Sequence, residues 1–342
     1  MPAVSMTYQF TLPSCGALFF PNASGVTDAE VQQANTHRGV LRDTLKSYKR
    51  AAVKDSLSVI RVCQAYLPHL HKLHTSQQYK SMQVNWRSMF LHHRLPNKDF
   101  PRLDFPGLSY EVLFVLLTYA QALYNDAVLQ GDNAHAAEQL CRAAGIFEHV
   151  ADQICPMLTE RVCPETYPAL PSALAKLTMA AAQLHALASL NGKTSNAMLC
   201  RIAVGASDHA SSAVGLLSAH PTRKVLPSDL LDQCKRLKAS ALAEAYVCLA
   251  LDAQKQGSIG LAVGCASLAA KLGQGKTDVT MLHAELRAEN DQVTFQPVPD
   301  EAEVQRQLPS GREFCKVKVY VALSEDQATT GEGLYAGEGS YY

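Results

Sequence analysis

Residues Leu108–Leu129 read LSYEVLFVLLTYAQALYNDAVL and Asn133–Cys155 read NAHAAEQLCRAAGIFEHVADQIC, with only Gln130–Asp132 between them. Apolar residues recur at helical spacing in both. They are Leu113, Leu116, Leu117, Ala120 and Leu123 in the first, and Ala137, Leu140, Ala144, Phe147 and Val150 in the second. Alanine stands where two helices would approach closely. So short a connection between two such periodic segments predicts an antiparallel helical hairpin, a motif that binds partners more often than it catalyses reactions.

Working outward, the same periodicity continues on both sides. Upstream it predicts helices over Asp28–Ala52 and Ser56–His74, preceded by a short strand or hairpin within residues 7–20. Between them and the opening hairpin, Met82–Phe90 is less helical and holds the only tryptophan, Trp86; Pro96, Pro101 and Pro106 then interrupt the chain. Downstream, helices are expected over Leu174–Leu190, Ser195–Leu217, Pro227–Gln256 (with Ser228–Asp229 as its cap), Gly260–Leu272 and Asp278–Asp291. Residues 296–322 read as extended and proline-bearing. Helix pairs follow one another, and the small residues of Ala241–Leu272 look like those of a tetratricopeptide array. The fold class is mainly α, a curved solenoid resembling tetratricopeptide arrays, with small β additions near the N-terminus. Residues 1–325 are expected to form a single domain, with 326–342 a disordered, acidic Gly/Tyr tail.

Composition narrows the function. The 342 residues carry 31 basic and 31 acidic side chains, so nothing pulls the chain toward nucleic acid, and no nucleic-acid partner is expected. With 47% hydrophobic residues it can bury a large core. Ten scattered cysteines without a CxxC pair read as reduced core residues of a cytoplasmic protein. No signal peptide, membrane-spanning run or prenylation box is visible, which leaves peripheral contact with an anionic membrane as the mode of attachment. The basic groups Lys46, Lys49, Arg50 and Lys54, and Lys235, Arg236 and Lys238, read as solvated helix faces or as contacts for an acidic partner or lipid.

Catalytic and metal chemistry find little support. His69, His71 and His74 fall at helical positions that cannot share one face, and no carboxylate or cysteine completes a tetrahedral set. His92 and His93 are adjacent and point apart. No GxSxG, P-loop or HExxH motif occurs. No catalytic residue, cofactor or metal site is assigned. Tyr167-Pro168-Ala169-Leu170 spells a YPxL peptide, which in a proline loop of a folded domain reads as coincidence.

The sharpest local anomaly is Pro168–His220. These 53 residues contain four charges, Lys176, Lys193, Arg201 and Asp208, and fourteen alanines. A surface hairpin spends one face on charge. This one is either buried all round or offers one face to a partner. Met198 and Ile202, one turn apart, with Leu184 and Leu187 on the preceding helix, would form an apolar slot for an amphipathic helix.

In order and spacing, these elements resemble the BRO1 domain of Alix, rhophilin and Brox type proteins. The likeness covers roughly residues 7–325. It rests on Tyr110-Glu111 with Val115-Leu116, on Ala136-Ala137 with Ala143-Ala144-Gly145-Ile146-Phe147, on Trp86, and on Glu289-Asn290-Asp291 followed by Val298-Pro299. The resemblance implies a banana-shaped domain and a non-enzymatic adaptor in endosomal sorting and membrane remodelling. Such an adaptor would be cytoplasmic and peripherally recruited to endosomal membranes. Its partner would be the C-terminal amphipathic helix of a Snf7-type ESCRT-III subunit, held in a concave apolar groove. Carried over, that groove comprises Leu184, His185, Leu187, Met198, Arg201 and Ile202. The family's flanking lysines fall here on Ala134, Glu138 and Ala188, leaving Arg201 and Lys193 nearby. Thr118 stands where the family commonly has asparagine. The alternative role is a scaffold for a small GTPase or cytoskeletal complex using a different surface.

Overall fold

The structure is a computed structural model that describes residues 8–23, 25–91, 102–190, 192–273 and 277–322. His92, His93 and the tail 326–342 lie outside these. The helices are α1 (Asp28–Arg50), α2 (Ser56–Thr75), α3 (Leu108–Ala127), α4 (Asn133–His149), α5 (Ala169–Leu190), α6 (Asn196–Ser218), α7 (Ser228–Lys255), α8 (Ile259–Leu272), α9 (Thr277–Glu289) and the short α10 (Glu301–Arg306). From α1 to α9 each helix packs chiefly on its neighbours in sequence. That is the behaviour of a row of stacked hairpins.

Helix starts follow local chemistry. Thr27 and Glu30 make a reciprocal capping box at α1, and Asp55, Asp132 and Ser195 accept backbone N–H groups at α2, α4 and α6. Of the expected Ser228–Asp229 cap of α7, Asp229 Oδ1 accepts Leu230 N at 3.0 Å from within the first turn. Pro227 occupies the cap position without a side-chain bond, and Ser228 already lies inside the helix. At their far ends α4 and α9 loosen into π-helical turns over Val150–Ile154 and Asn290–Thr294, so the regular helices stop short of the expected boundaries.

A three-stranded antiparallel sheet stands beside α3, in the order β1 (Ser14–Cys15), β2 (Gln83–Arg87), β3 (Arg102–Pro106). The strand expected within residues 7–20 shrinks to two paired residues. β3 was hidden by the prolines around it, and its register sets Trp86 opposite Leu103. Beyond β2, the buried Glu165 carboxylate accepts Ser88 Oγ and the amides of Met89 and Phe90.

The opening helix α3 is the central element, with every residue but Ser109 and Asp126 buried. Its buried acid, Glu111, is fully enclosed. Arg38 Nε of α1 lies 2.5 Å from Glu111 Oε1, Trp86 Nε1 lies 2.5 Å from Oε2, and Tyr66 of α2 donates to Oε1 at 3.4 Å. Arg38 also reaches Cys15 Sγ at 3.0 Å and lies over the Trp86 ring. Trp86 in turn stacks on Phe114, with 9° between the planes. One buried ion pair thereby joins α1, α2, α3, β1 and β2. Asn125, near the other end of α3, pairs both ways with the backbone of Phe10 at 2.7 Å. Thr118 satisfies its own hydroxyl on Phe114 O within the helix.

Removing one member of such a pair strands a charge in a medium that cannot solvate it. Arg38→Met is expected to destabilise the protein by about 3–5 kcal/mol. Arg38→Met with Glu111→Leu, which removes both charges, is expected to recover much of that loss in chemical denaturation.

Candidate functional site

The charge-poor hairpin is α5 with α6, and most of α5 is indeed buried all round. From Leu170 to Leu187 only Ser172 and Lys176 escape burial. Neighbouring helices cover two sides. The third is covered by the chain's own residues 308–322, which return as a strap over α6, α5, α4 and finally α2. Arg312 N donates to Arg201 O of α6 at 2.9 Å, and Gln183 Oε1 of α5 accepts the amides of Phe314 and Cys315 at 3.1 Å. Lys318 N donates to Cys141 O of α4 at 3.1 Å. The Tyr320 hydroxyl lies 3.3 Å from His71 of α2, with its ring against His149 of α4.

The strap comes so close that helix side chains must vanish beneath it. A Cβ on Gly145 would overlap the Lys318 carbonyl, and one on Gly205 would stand 2.6 Å from Arg312 O. Both positions require glycine for approach rather than for backbone freedom. On one side of the crossing, Lys176, Asp208, His209, Ser212 and Glu313 line a polar cavity of about 280 Å³. There His209 faces Glu313 at 3.2 Å. Burial holds His209 below the usual imidazole range, against the pull of Glu313.

The other side of the crossing holds the expected partner-binding residues. Here the start of α4, the end of α5 and the start of α6 meet, fixed by a 2.9 Å contact between His185 Nδ1 and Asn133 Oδ1. Arg201 is exposed and Met198 half-buried, with Arg312 reaching Met198 Sδ at 3.6 Å. The rest lie deeper: His185 is 7% exposed, Leu187 2%, and Leu184 and Ile202 are fully enclosed. Ile202 packs with Leu187, Leu199 and Cys248, and Phe314 of the strap leans on that cluster. The surface of this site is therefore Met198, Arg201, the edge of His185 and the strap, with Leu184, Leu187 and Ile202 as support beneath. The strap's share was missed because residues 296–322 were read only as extended, although their alternating GREFCKVKVY suggests a strand with two distinct edges.

The remaining candidates are local. His69 stacks on His37, His71 meets Tyr320 and His74 meets Ser109, three separate directions. Among the described residues no group of three potential ligands could hold a metal, and no helix is long and apolar enough to cross a membrane. All ten cysteines are buried and free. Lys46 pairs with Asp43, Lys235 pairs with Asp232, and Lys54 caps the carbonyl end of α1. Leu170 of the YPxL peptide is fully buried at the start of α5.

Stacked helical hairpins crossed by an extended strap, with a shallow surface at one end, define a helical solenoid. The chain belongs to the BRO1-like domain family, whose model matches residues 30–336. It is 23% identical over 449 aligned positions to the pH-response regulator protein palC of Yarrowia lipolytica, spanning 99% of this chain and all of that protein. Among solved structures it is similar to the BRO1 domain of ALIX in complex with CHMP4C, with a TM-score of 0.72 and 17% identity over 93% of this chain and 97% of that one. A Bro1 domain studied for endosomal targeting matches with a TM-score of 0.68 and 12% identity over 91% of this chain and 92% of that one. At these identities the likeness to solved structures is one of fold.

Two outcomes follow from the strap's seat. Gly145→Ala is expected to lift the strap from α4, seen as faster hydrogen exchange at the Cys315 and Lys318 amides than in the parent. Burial pushes His71 down to about 4 and also lowers His149. The folded state thus binds fewer protons than the unfolded chain between about pH 6.5 and 4. Stability is complete above that window and falls as pH drops through it, so the urea midpoint at about pH 5 is expected below that at pH 7.

Proposed function

We propose that this protein is a non-catalytic adaptor that binds the C-terminal amphipathic helix of a Snf7-type ESCRT-III subunit. It would do so as a single domain through about residue 325, cytoplasmic and recruited peripherally to endosomal membranes. The helix would lie on the surface formed by Met198, Arg201 and the edge of His185, with Leu184, Leu187 and Ile202 as its floor. The observation that carries this reading is a half-buried, adaptable methionine at the end of an almost uncharged helix pair, flanked by an exposed arginine. An amphipathic helix needs such an apolar seat with polar edges. The ALIX BRO1 domain, similar in fold over nearly its whole length, is solved in complex with CHMP4C. The relationship to palC supports a further reading within the same role, an adaptor acting in a pH-response pathway.

A titration of the C-terminal helix peptide of a Snf7-type subunit tests the site. Met198→Asp is expected to weaken binding at least about tenfold while leaving helical circular dichroism and melting intact, because the side chain lies at the surface. Ile202→Asp is the contrasting variant. It buries an unpaired charge and is expected to destabilise the fold itself by several kcal/mol, about 3–5. Unchanged affinity in Met198→Asp overturns the site.

A further inference from the structure

Around Met198 the helices supply little positive charge: Arg201 is exposed beside it, while Ala134, Glu138 and Ala188 carry none. The strap supplies it. Its backbone runs from Arg201 O on α6 to Cys141 O on α4 between Arg312 and Lys318. Six residues therefore cross two helix spacings of about 8–10 Å each, which demands a nearly extended chain. Side chains of an extended chain alternate between its two edges. On one edge, Glu313 meets His209 and Cys315 Sγ meets Ala182 O. On the other, Arg312 meets Met198, Phe314 leans on the Ile202 cluster, and Lys318 pairs with Glu138 at 2.8 Å. Lys316 belongs to this second edge by alternation and is exposed.

From this juxtaposition we infer that the strap is one wall of the partner site, with Arg312 and Lys316 gripping the acidic face of an amphipathic helix seated on Met198. The inference rests on the groove reading given above and adds the element that makes it charge-selective. The acids on this side are already engaged. Asp132 caps α4, Glu138 is held by Arg142 and Lys318, and Asp252 accepts from Gln256. Among the described residues Arg201, Arg312 and Lys316 have no carboxylate within ion-pair distance, so these three cations are available beside Met198. The alternating RxFxKxK edge thus brings cations to this surface from a non-helical segment. Backbone bonds to three helices fix its position, so the cations are presented without ordering a loop on binding.

The test uses the full chain and the same Snf7-type helix peptide, beside a peptide whose acidic residues are replaced by their amides. Arg312→Glu with Lys316→Glu alters exposed side chains only, and its melting curve serves as the folding control. The double variant is expected to bind the acidic peptide about tenfold more weakly at about 0.05 M salt, with the gap narrowing at about 0.5 M as screening sets in. The amide peptide is expected to bind parent and double variant alike. Equal affinity of parent and double variant for the acidic peptide at low salt, while Met198→Asp still weakens it, overturns the strap's role and leaves the groove reading standing. Failure of the parent to bind either peptide removes both.

Discussion

The Arg38–Glu111 ion pair is the constraint around which the N-terminal half is organised. A carboxylate inside the most enclosed helix can remain charged only if every oxygen is matched, and Arg38, Trp86 and Tyr66 together do this. Each arrives from a different element, so those elements cannot shift independently. A hydrophobic contact tolerates sliding by a fraction of a helical turn, but this arrangement does not. Its weight lies in register more than in net stability, since burying two charges consumes most of what their attraction returns.

The strap plays a corresponding part in the C-terminal half by different means. Beside the packed rings of Phe314 and Tyr320 it offers backbone amides, to Gln183, to Arg201 O and to Cys141 O. Glycines at 145 and 205 admit it, and α5 can then be almost uncharged without exposing an apolar face. Of the two readings of the charge-poor hairpin, burial all round holds for most of its length, and an open surface remains at one end. The middle of α5 is sealed by the strap. Only the end near Met198 stays open.

The helices were legible because their apolar spacing is regular and their caps are ordinary. What escaped notice was a residue in the wrong chemical class at the right position. Val31, Ala34, Arg38, Leu41 and Leu45 form one buried stripe of α1. An arginine in register with four apolar residues is a visible sign of a buried partner, yet Glu111 lies 73 residues away. β3 was obscured because five residues between prolines carry too little periodicity. In the site, Met198 and Arg201 are at the surface while Ile202 is not, because one helical face turns from solvent to α7 within a single turn. The alternation of GREFCKVKVY marks two edges of the strap, but which helices those edges meet has no signal in local pattern.

That crossing has a consequence for how the chain is made. The Gln183 side chain finds its two amide partners 131 and 132 residues later. During synthesis α4, α5 and α6 can stack as soon as they emerge, but their outer face must wait for the strap to leave the ribosome. At about 5–20 residues per second this is an interval of several seconds or more, in which α5 lacks the cover of the strap. The strap thus completes a module whose helices were finished before it, and a nascent chain halted before residue 312 would leave that face of α5 uncovered.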